Sequence, residues 1–389
     1  MRKIFIYNSF SNIMLELVVW MIYLHQFGWS MAEIAFLQGL FTFFSAVFEL
    51  PSGIVADRMG KKRALQLGEI ICILYLISYF FPHQHMIVYS GFICFSIGLA
   101  LISGTDTSLL YNLVEKDNFL KYMGYFNAIG VISVAIGNLI GGWLADVSWG
   151  LLFITSILCR LISLSSITLL KVPESINSDD VQENGIATLK LHIKLLYDYT
   201  KKNSKFKYLL FASAFLISSV TLSYQYVSIL LSGLEMGTGK ISTIYGAISI
   251  LGSLLAFLSE RITKKISVKV TAVLVFLITV VSFASIGFFS NMLPIIILSF
   301  MVPNILFELL SVILDSKVHK ELIDTIRVSS VSLINLINSL LLTVGSFIIS
   351  KLSNLLSLAT IISLICTITI LISLFAYVKY ERETNNEQQ

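Results

Sequence analysis

The sequence predicts an all-α integral membrane protein: twelve transmembrane helices in two pseudo-symmetric six-helix bundles. Three observations carry that expectation. Apolar residues come in blocks of twenty or more, basic residues gather in alternate connections, and one charged connection recurs about half a chain later.

The first observation is compositional. Hydrophobic residues make up 56% of the 389, and charged residues only 13%. A soluble domain carries roughly 25% charged residues, so a water-facing surface of ordinary charge cannot be assembled from this chain. A bilayer core of about 30 Å needs about 20 residues of helix, which the blocks supply. They lack the two-residue alternation of membrane strands, which argues against an outer-membrane barrel. The first block follows Arg2 and Lys3, as a signal peptide would. It runs past twenty residues, carries Glu16 and lacks a small-residue cleavage site, so it reads as a retained first helix. Cys72, Cys94, Cys159 and Cys366 all fall in apolar blocks without metal-ligand spacing and read as buried free thiols. No metal site and no cofactor is expected.

Turn signals divide the blocks into spans near 4–27, 31–56, 65–82, 86–113, 119–145, 149–171, 206–232, 239–259, 267–289, 292–316, 325–350 and 355–379. Ser30 followed by Glu33 has the spacing of a capping box opening the second span. Lys and Arg then set the sidedness. Arg2, Lys3, Arg58, Lys61, Lys62, Arg63, Lys116, Lys121, the linker lysines, Arg261, Lys264, Lys265, Lys269, Lys317, Lys320, Arg327, Lys379 and Arg382 fall in one set of connections. The other set holds only Lys240 and Lys351. A miscount by one helix would scatter the basic residues over both sides, so the even count and two cytoplasmic termini follow. The net charge of +4 is explained by these anchors, and no nucleic-acid partner is needed. The organisation expected is a bundle over 1–172, a cytoplasmic linker over 173–205, a second bundle over 206–380 and a cytoplasmic tail over 381–389.

The repeat divides the chain. The connection after span two reads Gly53-Ile-Val-Ala-Asp57-Arg58-Met-Gly60-Lys61-Lys62-Arg63, and the one after span eight reads Ala256-Phe-Leu-Ser-Glu260-Arg261-Ile-Thr-Lys264-Lys265. A shift of about 203 residues superposes acid on acid, Arg on Arg and the Lys pairs. That is the pattern of two parallel halves related by an axis along the membrane normal. Gly53 would permit close helix approach at the membrane edge. Asp57 could meet a basic group or a helix N-terminus of the other half, and Arg58 and the Lys pair could bind acidic partners or lipid headgroups. Such contacts would gate one side of the membrane.

This connection resembles the signature loop of the major facilitator superfamily, of the type Gly-x-x-x-Asp-Arg-x-Gly-Arg-Arg, with Lys61 and Lys62 in place of the arginines. The span count, repeat and central linker extend the resemblance over nearly the whole chain. Gly130, Gly137, Gly141 and Gly142 of span five resemble the glycine-rich motif of the superfamily's antiporters, with Asn138 where a proline is usual. The Arg-Gly motif of span four in proton-coupled members is absent. The resemblance implies the superfamily's twelve-helix fold and points to its bacterial drug-efflux branch. In that fold the first and fourth helices of each half line the central path.

Ionisable residues at membrane depth are costly and face a cavity or a partner. Glu16 lies mid-way along span one, Asp106 well inside span four, Arg160 in the middle of span six and Glu308 inside span ten. Glu49 is nearer one end of span two, two residues before Pro51, where a bend is expected. A carboxyl group so placed can exchange a proton for a cationic substrate. Asp106 is the first candidate and Glu16 the second, while Arg160 reads chiefly as an ion-pair partner. Tyr224, Gln225 and Tyr226 of span seven and Asn112 at the end of span four could complete a broad pocket. Trp20, Tyr23 and Phe27 read as an interfacial belt.

These features predict a secondary transporter, with a small-molecule substrate and protons as partners, embedded as a monomer in the lipid of a bacterial plasma membrane. Multidrug-type export is the leading expectation, and nutrient uptake by the same fold is the alternative. The chain has no phosphate-binding Gly-rich Lys/Ser loop for an ATP-driven pump, and no nucleophile–base or His–acid cluster for a membrane enzyme.

Overall fold

The structure is a computed structural model, and it describes residues 1–171, 199–321 and 327–388. These residues form helices joined by short turns: α1 (Arg2–Asn12), α2 (Trp20–Gln26), α3 (Met31–Met59), α4 (Lys61–Ser78), α5 (His85–Ile102), α6 (Thr105–Leu113), α7 (Phe119–Val147) and α8 (Trp149–Thr168). After the linker come α9 (Ser204–Gly233), α10 (Thr238–Lys265), α11 (Val268–Phe288), α12 (Leu293–Glu321), α13 (Arg327–Leu352) and α14 (Leu358–Gln388). Most of the expected 173–205 linker lies outside the described residues.

Ten helical stretches among the described residues are long and apolar enough to cross a membrane. The two expected spans that do not qualify are the first and third. Span one is not continuous but broken into α1 and α2, and α4 carries Lys61, Lys62, Arg63 and Glu69 within 18 residues. Span four is also interrupted, at Ser103–Gly104, where Gly104 takes a left-handed φ of 75° between α5 and α6. At Pro51, by contrast, α3 runs on as helix to Met59. The expected tail is helical too: residues 381–388 continue α14, and Glu381 pairs with Lys317 at 2.6 Å in a mostly buried contact.

The chain divides into two compact units, Met1–Glu183 with Met236–Gly246, and Asn184–Glu235 with Ala247–Gln389. In the first, α4 packs on α5 and α8, α3 on α5, and α1 on α7 and α8. The capping box forms as expected, with Ser30 Oγ accepting from the Glu33 N–H and the Glu33 carboxylate accepting from the Ser30 N–H. One core cluster gathers Ile4, Tyr7, Leu65, Leu109, Leu110 and Phe126. An aromatic cluster joins Trp20, Tyr23, Tyr75, Tyr79, Phe92 and Phe153. Trp20 and Tyr23 are therefore interior residues rather than interfacial anchors: both are buried, and the Tyr23 hydroxyl donates to the Tyr79 carbonyl. Edge-on ring contacts and a satisfied hydroxyl favour that placement over the lipid boundary.

The first turn of α10 is tied down within this unit. The Asp146 carboxylate accepts from the Thr238 N–H at 3.1 Å and the Gly239 N–H at 2.9 Å, and Gly142 N–H donates to Ser242 Oγ at 2.8 Å. An acid from the end of α7 thus caps a helix distant in sequence. In the second unit, α9 packs on α14, α12 and α13, and α11 packs on α12 and α14. Small polar residues join the helices there: Ser219 Oγ donates to the Cys366 carbonyl at 2.9 Å, and Ser373 Oγ donates to the Ala212 carbonyl at 2.6 Å.

Candidate functional site

The break in span one falls at the residues carrying Glu16. Nothing local demands it, since Ile13-Met14-Leu15-Glu16-Leu17 contains good helix formers and neither Gly nor Pro. The cause is tertiary. A Cβ on Gly141 of α7 would overlap the Leu15 carbonyl oxygen, and one on Gly137 would lie 3.1 Å from the Met14 nitrogen. The two glycines let α7 and this segment meet backbone to backbone, where a bulkier residue would not fit. The chain turns there, with the Val19 and Trp20 N–H groups donating to the Glu16 carbonyl at 3.0 and 2.9 Å. Gly130 is looser: a Cβ there would be 3.7 Å from the amide nitrogens of Asn8 and Asn12. Gly142 faces elsewhere, against Thr238 and Ser242.

The opposite side of the break is held by α8. Ser156, Arg160 and Ser163 follow at spacings that share one helix face. Ser163 Oγ donates to the Tyr7 carbonyl at 3.2 Å, Arg160 Nη1 to Ser11 Oγ at 3.2 Å and Ser156 Oγ to Glu16 Oε2 at 3.1 Å. This polar ladder ties α8 to α1 and to the interruption itself. From α4, Glu69 completes it, with Oε2 at 3.2 Å from Arg160 Nη1 and Oε1 accepting from Ser163 Oγ at 2.9 Å. Glu16, Arg160 and Glu69 are only 3%, 2% and 0% exposed, so three ionisable groups share one water-poor pocket of the fold. Arg160 Nη2 is buried without a hydrogen-bond partner among the described residues.

Glu69 is the residue the sequence reading missed. The helix starts at Lys61, and Glu69 lies about 12 Å along it at 1.5 Å per residue. An acid eight residues past a basic helix start was the available signal.

Asp106 occupies the other interruption. It stands in the first turn of α6, after Gly104, and its Oδ1 accepts from the Thr107 N–H at 2.6 Å. A carboxylate suits the positive end of a helix. Asn112, at the far end of α6, has a buried Nδ2 without a partner among the described residues. Glu49 is half-buried in α3. Glu308 of α12 is half-buried as well, with its side chain against Gly252, where a Cβ would lie 2.8 Å from Glu308 Cγ. Tyr226 is fully buried, while Tyr224 and Gln225 are half-buried. Consecutive helical residues diverge by about 100°, so these three do not share one face.

The signature connection is largely helix. The α3 helix reaches Met59, α4 begins at Lys61, and Gly60 alone makes the corner with φ 90°. The corresponding position in the second half is Thr263, and there α10 continues to Lys265. At Gly53 a Cβ would meet nothing within 4 Å, so the close approach expected there is found instead at Gly137 and Gly141. The Asp57 side chain lies outside the described residues. Arg58, Met59, Gly60, Lys62 and Arg63 line a hollow of about 230 Å³. Lys62 Nζ donates to the Leu170 carbonyl, as Lys3 Nζ does to that of Leu169, both at 2.7 Å. These lysines thereby serve the carbonyl end of α8. Among the described residues Lys61 and Arg261 carry no such contact, and Glu260 forms an exposed pair with Lys264 on its own helix at 2.6 Å.

Residues 4–322 match the sequence profile of the Major Facilitator Superfamily. The chain belongs to this superfamily. It is similar to an uncharacterized MFS-type transporter, YxaM, of Bacillus subtilis, at 23% identity over 184 residues, 46% of each chain. It is also similar to the methyl viologen resistance protein SmvA of Salmonella typhimurium, 27% identical over 46% of this chain and 36% of that protein. Alpha-ketoglutarate permease of Bacillus subtilis is 26% identical over 43% of this chain and 42% of the permease. The chain thus spans less than half the length of the curated relatives it matches. Among solved structures, the nucleoside transporter NupG superposes with a TM-score of 0.74 at 15% identity, covering 98% of this chain and 96% of NupG. A D-xylose-proton symporter gives 0.71 at 11% identity, covering 95% of this chain and 94% of the symporter. These likenesses show the superfamily fold.

Proposed function

We propose that this superfamily member is a secondary active transporter exporting a small lipophilic or cationic compound in exchange for protons, by alternating access. The observation that carries the reading is the acid at each interrupted span of the first unit, Glu16 in span one and Asp106 in span four. Interrupted helices in transporters are where substrate and coupling ions meet the protein, because freed backbone groups and half-helix ends supply polar contacts at membrane depth. The similarity to SmvA, whose name concerns resistance to an organic dication, supports a cationic substrate. One proton crossing 100 mV supplies about 2.3 kcal/mol, enough to drive accumulation without ATP. Lys and Arg asymmetry supports cytoplasmic termini in a plasma membrane, and a single chain is a sufficient unit.

A second reading is uptake of a small carboxylate. The buried Arg160, with Nη2 unpartnered among the described residues, and the similarity to alpha-ketoglutarate permease favour it.

Substrate-induced proton release in proteoliposomes separates the two. Under the export reading, organic cations such as methyl viologen release protons from the parent, and Asp106→Asn or Glu16→Gln weakens that release. Counterflow of a dicarboxylate with no response to any cation would establish the second reading instead.

A further inference from the structure

The polar ladder between α1, α4 and α8 has an uneven charge count. Two carboxyl groups, Glu16 and Glu69, face one guanidinium, Arg160, and all three are nearly or fully buried. The two acids are not equivalent. Arg160 Nη1 donates to one Glu69 oxygen, and the single Ser163 hydroxyl proton lies between the other and the Tyr7 carbonyl, closer to Glu69. Among the described residues Glu16 receives a single side-chain donor, the Ser156 hydroxyl, which a neutral acid can also accept through its carbonyl oxygen. The titratable groups around Glu16 include Cys159 and Arg160 of α8 and Cys72, Tyr75 and Tyr79 of α4.

We infer that this cluster holds one exchangeable proton, carried by Glu16, with Glu69 as the standing counter-ion of Arg160. With the proton aboard, the cluster is neutral. Its departure leaves one net negative charge at the interrupted turn, where burial makes an uncompensated ion costly and a positive charge favoured. Glu69 is a positioning residue here: it keeps Arg160 occupied, so that Glu16 remains available to give and take the proton. The glycine seat on α7 belongs to the same device. Gly137 and Gly141 hold the turn in which Glu16 can face Ser156 rather than follow a regular helix.

This assignment deepens the export reading by choosing Glu16 over Asp106, and it is tested without transport. Infrared difference spectra of the membrane-reconstituted full chain report the C=O stretch of an un-ionised carboxylic acid. The parent-minus-Glu16→Gln spectrum should contain that band. The Glu69→Gln spectrum should lack it although Glu16 is still present, because Glu16 then ionises to balance Arg160. A merely structural Glu69 would leave the band in place. A parent-minus-Glu16→Gln spectrum without the band, or a band that survives in Glu69→Gln, overturns the inference. Should Glu69→Gln fail to fold, the Glu16→Gln comparison alone decides. A parent that releases no protons with any compound would sink the export reading while leaving the infrared outcome intact.

Discussion

A Cβ on Gly141 would overlap the carbonyl oxygen of Leu15, so these residues of α7 and the interrupted first span meet backbone to backbone. Gly141→Ala must push the turn away or unseat it. Forcing a methyl group into a filled contact costs typically about 1–3 kcal/mol. Gly53→Ala, where a Cβ meets open space, should leave stability unchanged within about 0.5 kcal/mol. Thermal unfolding of the purified variants in detergent reads the difference. Equal melting of the two would mean that the glycine seat is not a tight contact.

Arg160 and Glu69 form a buried pair whose members depend on each other. Arg160→Met strands the Glu69 carboxylate and should cost roughly 3–5 kcal/mol, the range for removing one partner of a buried ion pair. Adding Glu69→Leu should recover most of that loss, because an apolar pair of similar volume replaces the ions. A double variant as unstable as the single one would show that the loss came from packing rather than from charge.

The two halves treat their repeated connection differently, and stability should follow. Gly60 sits at φ 90°, so Gly60→Ala should cost about 1–3 kcal/mol in backbone strain. Glu260→Gln breaks only an exposed pair on one helix, worth about 0–1 kcal/mol. The same unfolding assay ranks them, and a Glu260→Gln more damaging than Gly60→Ala would contradict the structure.

Asp146 caps the first turn of α10 from the end of α7. Asp146→Ala should cost about 0.5–2 kcal/mol, as loss of a helix cap does, and Asp146→Asn less. Hydrogen exchange at Thr238 and Gly239 localises the effect. Unchanged protection there in Asp146→Ala would remove the capping role.

The proposed orientation is tested by impermeant thiol reagents. A cysteine at Lys351 should be labelled in intact cells, and one at Arg382 only after permeabilisation. Labelling in the reverse pattern would invert the topology.

Much of the architecture was legible because lipid allows few solutions. Apolar length and basic connections needed no knowledge of packing to locate most of the helices. Ser30 and Glu33 could be read as a capping box because a cap depends on residues three apart. Glu16, Asp106 and Arg160 were visible as ionisable groups at depth. What they touch was not, since their partners lie 91 to 149 residues away along the chain in the Arg160 cluster. Glu69 escaped notice because its partners, Arg160 and Ser163, lie 91 and 94 residues away along the chain.

The sequence by itself determined a membrane-spanning, helical, twofold-repeated chain, because hydrocarbon demands long apolar helices whose backbone bonds close internally. Only the tertiary structure decided that spans one and four are interrupted and that Glu16 lies in one of those interruptions. The residues around Glu16 favour helix in isolation. They form a turn seated backbone to backbone on Gly137 and Gly141, with Ser156, Arg160 and Ser163 as polar partners on the other side.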